Sequence, residues 1–148
     1  MSGDGPKLYV CFEPHYGACV DKLDAWPHAN SDRAFHNSRA DVLVDSADAE
    51  PIKGVLRKQI AEARVVVCFI SQTASLDEWI AWELETAKAA TNRAGLVGVL
   101  LHEHAVYPLA MVNCGAIFVP FRKDMVARAI EWAATERHTS DDFTIPDE

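Results

Sequence analysis

The sequence predicts an α/β protein in three layers, a parallel sheet with helices on both faces. Three observations carry this. Short apolar, β-branched runs alternate with amphipathic segments along the chain. In one run, RVVVCFI over 64–70, the six residues after Arg64 are apolar without a break, as a centre strand covered on both faces requires. The 148 residues suit one domain with a substantial core.

Taken in order, MSGDGP (1–6) is a flexible lead-in, and no signal peptide is expected because no extended apolar segment follows a basic start. KLYVCF (7–12) is a buried strand rich in aromatic and β-branched residues, and EPHYG is the loop after it. ACVDKLDAW (18–26) is a short amphipathic helix stopped by Pro27. RAFHNS (33–38) reads as a second strand, followed by a polar loop. A helix then starts near residue 48, with Ser46 or Asp48 as cap and Pro51 in its first turn; Ile52, Val55, Leu56 and Ile60 form its apolar stripe. After the strand at 64–70, a loop beginning SQTAS leads into a helix from about Asp77. GLVGVLL (95–101) and GAIFVPF (115–121) are further strands, and KDMVARAIEWAATER (123–137) is a closing helix. Five strands suggest the flavodoxin-like order 2-1-3-4-5. The domain spans 7–137, and 138–148 is a loose acidic tail.

The net charge of -8 argues against a protein that binds nucleic acid through its phosphates, and against an electrostatic membrane anchor. No apolar run reaches the roughly 20 residues of a membrane helix. Cys11, Cys19, Cys68 and Cys114 form no CxxC, so they read as reduced, mostly buried thiols of a cytoplasmic protein. His102 and His104 form a lone HxH, better read as a polar loop after a strand than as a metal site, and no metal is expected.

The helix in SQTASLDEWIAWELETA (71–87) holds the most informative residue. Ile80, Leu84, Ala87 and Thr91 fall on its apolar stripe, and Glu83 lies near that face, one turn after Trp79. Glu85 falls on the opposite, polar face with Glu78, Ala81, Lys88 and Asn92. A buried carboxylate is costly unless something pairs with it, so Glu83 is either a structural acid, for instance with Arg33 or Arg57, or is held for use. In a sheet of this order, ligands bind beyond the carboxyl ends of the strands at the switch point. Topology there brings together Phe12, Glu13, His15, Tyr16, Asn37, Ser38, Ser71, Thr73, Trp79 and Glu83. Bland readings stand beside each: Trp79 and Trp82 as packing, Phe12 and Tyr16 as core, His15 as a loop residue, Asn37 as a turn holder, and Ser71 and Thr73 as loop-shaping residues. No GxGxxG, GxxxxGK[ST] or GxSxG occurs, and the acids of a receiver domain are missing.

LYVCF at the start, VVVCFISQT after the third strand and above all SQTASLDEWIAWELETA resemble TIR-like domains, near the bacterial family that includes Thoeris ThsB proteins. VDSADAEPIKGVLRKQI (44–60) resembles the stretch this family carries before and through its second helix. The likeness spans about residues 7–101; its most specific element is a strand, then S-x-T, then W-x-x-x-E. Cys11 stands where many relatives have a serine, and the region after the fourth strand is short. The resemblance implies that Glu83 is the catalytic glutamate of a cytoplasmic enzyme that cleaves the nicotinamide–ribose bond of NAD. NAD is then substrate, and no cofactor is needed. It further implies an ADP-ribose-derived signal, linear or cyclic, made after phage infection, a homo-oligomer on activation, and a downstream effector that senses the product.

The chemistry is consistent with that. Nicotinamide leaves without a general acid, and the transition state is oxocarbenium-like. One carboxylate beneath the ribose stabilises it. Phe12, Tyr16 or Trp79 can stack on a flat ring, Asn37 and Ser38 can hold ribose or phosphate oxygens, and Ser71 lines the same crevice. Two other functions fit the same pattern: a nucleoside 2-deoxyribosyltransferase-like enzyme, and a non-catalytic TIR-type module acting by self-association.

Overall fold

The computed structural model describes residues 7–13, 18, 42–90, 94–112 and 115–134. Its described elements run β1 (Leu8–Cys11), α1 (Ala49–Glu62), β2 (Val65–Ile70), α2 (Glu78–Ala89), β3 (Gly95–Leu100), β4 (Ile117–Pro120) and α3 (Lys123–Ala133). Short 3₁₀ turns at Ala74–Leu76 and Leu109–Met111 precede α2 and β4.

The described strands form one four-stranded parallel sheet in the order β1-β2-β3-β4. The register pairs Tyr9 with Val66, Cys11 with Cys68, and Val67 with Val97. The unbroken apolar run is central, as expected, and every residue of β2 is buried. The fifth strand, expected over 33–38 beside β1, lies outside the described residues, as do the helix expected at 18–26 (apart from Ala18) and the acidic tail.

Alternation along the strands divides the core in two. Tyr9, Cys11, Val66, Cys68 and Ile70 face α1 and α2, packing with Leu56, Ile60, Ile80 and Leu84. Leu8, Val10, Val65, Val67 and Phe69 face α3, packing with Met125, Val126, Ala129 and Ile130. The layering is thus the expected one. Gly95 lets α3 close onto β3, since a Cβ there would stand 2.3 Å from the Ala133 carbonyl oxygen.

Helix α1 starts where the sequence predicts, but not as predicted. Asp48 occupies the cap position without a side-chain cap bond, and the Ser46 hydroxyl donates instead to the Leu43 carbonyl at 2.7 Å. Asp48 has helical backbone angles, so its carboxylate is not presented to the first-turn N–H groups. The Ala49 N–H bonds to the Ser46 carbonyl, so a tight turn feeds the helix. Leu56 and Ile60 of the expected stripe are buried, and Ile52 packs against them from the edge. Among the described residues no helix is long and apolar enough to cross a membrane.

Candidate functional site

Because β1 and β2 are parallel neighbours, Glu13 just after β1 and Ser71 just after β2 emerge at the same edge. Glu13 is buried there. Its Oε1 accepts the Ser71 hydroxyl, and its Oε2 accepts the Thr73 hydroxyl at 2.7 Å. The Ser71 oxygen in turn accepts the Thr73 and Ala74 N–H groups at 3.0 and 3.1 Å. The 3₁₀ turn follows, with the Asp77 N–H bonded to the Ala74 carbonyl. Asp77 then caps α2, its carboxylate accepting the Ile80 N–H at 2.9 Å. The expected start near Asp77 is correct.

Helix α2 buries Trp79, Ile80, Glu83, Leu84 and Ala87. Glu83 has 0% of its surface exposed. Its partner across the layer is Tyr9, whose hydroxyl donates to Glu83 Oε2. Tyr9 is itself buried on the α1–α2 face of β1. Glu85 is exposed and lies 3.9 Å from Lys88, as a polar-face residue should. Of the two arginines considered as partners for Glu83, Arg57 lies over the Trp82 ring, 5.5 Å from its centroid, and Arg33 falls outside the described residues.

Trp79 is buried on the Glu83 side. Its indole N–H donates to the Val42 carbonyl at 2.8 Å, and its ring meets Trp82 edge-on at 5.8 Å. It therefore ties α2 to the segment ahead of α1, which borders the expected crevice. Phe12 does not join this group. It packs with Leu8 and Val10 in the cluster on the α3 face, opposite Glu83. The stacking role expected of Phe12 is replaced by a core role, because strand alternation sets it on the other face from Tyr9 and Cys11. Tyr16, Asn37, Ser38 and His15 lie outside the described residues, so the structure neither joins them to Glu83 nor separates them from it.

Sequence reasoning missed Tyr9. A signal was present: a phenol in an apolar strand, in phase with Cys11, needs a polar partner when buried. It named Glu13 only among the converging residues and did not see its two hydroxyl partners. His102 and His104 are exposed, with the His104 N–H donating to His102 Nδ1 at 2.9 Å. Among the described residues, no three His, Cys, Asp or Glu side chains are grouped to hold a metal ion. Cys11 and Cys68 are both buried, and neither is in a disulfide.

A buried carboxylate fixed on one oxygen by a phenol has a defined orientation. It can stabilise positive charge or accept from hydroxyls brought against it. The family model described as the TIR-like domain of the Thoeris protein ThsB matches residues 9–105, which include Tyr9, Glu13, Ser71, Trp79 and Glu83. No curated protein matches the chain. With well over half of the 148 residues in that match, the chain belongs to the Thoeris ThsB TIR-like family.

Proposed function

We propose that this chain is an anti-phage TIR-like enzyme that cleaves the nicotinamide–ribose bond of NAD, with Glu83 as the catalytic carboxylate. The observation that carries the reading is the carboxylate of W-x-x-x-E, placed by α2 in a fully buried position and oriented by Tyr9. Glu85, two positions on, has none of these features. Family membership supplies the link to Thoeris defence.

In this mechanism the C–N bond to nicotinamide breaks and its electron pair leaves with the neutral ring. Positive charge develops on the ribose, and the Glu83 carboxylate stabilises it. Water capturing the ribosyl cation gives ADP-ribose, and the substrate's own adenine gives a cyclic form. Ser71 and Trp79 shape the crevice wall, and ribose, phosphate or ring contacts are assigned to Tyr16, Asn37 and Ser38. The product is the signal for a downstream effector in the cytoplasm.

A carboxylate with no exposed surface meets a dinucleotide only after a rearrangement. That supports a low basal rate, with self-association or an infection cue opening the site. The same burial favours one second reading, in which Glu83 is a core acid anchoring α2 on β1 in a non-catalytic interaction module. Incubating the purified chain with NAD, and separately with nucleosides, and following both by mass spectrometry decides the matter. Loss of NAD with release of nicotinamide supports the proposal. Exchange of nucleoside bases would assign a deoxyribosyltransferase-like activity, and no turnover under assembled conditions would leave the interaction module.

A further inference from the structure

We propose that Glu13 is a positioning residue for the reaction assigned to Glu83: its carboxylate locks the turn from which α2 starts. This inference rests on the NAD-cleavage reading above.

The geometry is directional. An ionised carboxylate only accepts hydrogen bonds, so the Ser71 and Thr73 hydroxyls must both point their protons at Glu13. Ser71 then has its lone pairs free for the Thr73 and Ala74 N–H groups, which they accept at 3.0 and 3.1 Å. Those two residues open the 3₁₀ turn whose end, Asp77, caps α2. One set of bonds thus runs from the carboxyl end of β1, through the loop after β2, to the first turn of the helix that carries Glu83. Each Glu13 oxygen already takes one of these hydroxyls, which suits holding the loop better than meeting substrate. A glutamine here has the same shape but presents an amide donor on one branch. That donor competes with the backbone N–H groups for Ser71 and disorders the bond directions.

Small displacements of a catalytic group are expensive in rate, about 10²-fold for a shift of about 1 Å. The test uses the full chain with NAD, under the conditions in which the parent turns over most. Glu13→Gln, Ser71→Ala and the double variant are compared with the parent. The expected result is a kcat about 10- to 100-fold lower with KM little changed, and faster amide exchange at Thr73 and Ala74. The double variant should be no slower than the worse single one, because the two side chains act as one unit. Unchanged kcat in Glu13→Gln beside an active parent overturns the positioning role alone, as do losses that simply add. A parent that never cleaves NAD overturns the reaction, and this role with it. Should Glu13→Gln not fold, Thr73→Val removes one of the two hydroxyls at the surface, and an unchanged kcat there is equally decisive.

Discussion

Tyr9 and Glu83 stand 74 positions apart in the chain and meet inside the core, the phenol of β1 donating to the carboxylate of α2. The bond joins the sheet to the second turn of the helix, on the face that also holds Trp79 and Leu84. It gives a fully buried acid a polar partner, which a carboxylate in apolar surroundings requires.

Removing that donor separates two properties of the site. Tyr9→Phe keeps the ring and deletes the hydroxyl. Losing one hydrogen bond to a buried acid should cost about 1–3 kcal/mol, read as a lower denaturant midpoint with an unchanged slope. The folded variant should also cleave NAD more slowly, because the carboxylate is less well oriented. An unchanged midpoint would mean that the bond contributes nothing to the fold.

Two near-identical changes on α2 test the catalytic assignment. Glu83 and Glu85 differ by roughly 200° around the helix. Glu83→Gln should leave a folded protein and lower NAD cleavage by about 10²-fold or more. Glu85→Gln, on an exposed side chain beside Lys88, should change neither rate nor melting temperature appreciably. If Glu83→Gln lowers the melting temperature but cleaves NAD as fast as Glu85→Gln does, Glu83 is a structural acid.

The start of α2 depends on one cap. Asp77 accepts the Ile80 N–H at 2.9 Å, so Asp77→Ala should destabilise the protein by about 1 kcal/mol. Asp77→Asn retains an acceptor and should recover most of the loss. Thermal melts of the two variants against the parent provide the comparison, and equal melting temperatures for all three would rule out a side-chain cap.

At the opposite edge of the sheet, Lys7 ties the start of β1 to the end of α1, its ammonium 2.9 Å from Glu62 Oε1. That hydrogen bond, followed by the charge of the same lysine, holds the Glu62 carboxyl below its ordinary value; burial opposes this and Lys58 adds to it. The folded-state pKa lies below the unfolded one. The stabilisation is therefore complete above the ordinary glutamate range and is lost as pH falls through the lowered value. Glu62→Gln should lower the melting temperature slightly at neutral pH and not at all in acid. Added salt should shrink the neutral-pH difference, since both groups are exposed to screening. A difference that grows on acidification would reverse the assignment.

The sequence by itself determined the described strands and longer helices and their layering. The apolar run LYVC, the unbroken run at 65–70 and the helical stripe of Ile80, Leu84 and Ala87 are local patterns, and each survives in the structure. The same periodicity put Glu83 inward and Glu85 outward. The α1 cap was misread because Ser and Asp near a helix start can bond their own turn as readily as the helix, and only the backbone angles decide between the two. The site was less legible. Phe12 was assigned to a crevice by its position after β1, whereas its face follows from the phase of the strand within the packed sheet. The partners of Glu83 and Glu13 were settled by tertiary structure alone. Tyr9 with Glu83, and Glu13 with Ser71 and Thr73, are pairs separated by 74, 58 and 60 positions. Periodicity says which side of an element is buried. It carries no information on which distant polar group will meet it there, because that depends on strand register and on where the loop after β2 returns the chain.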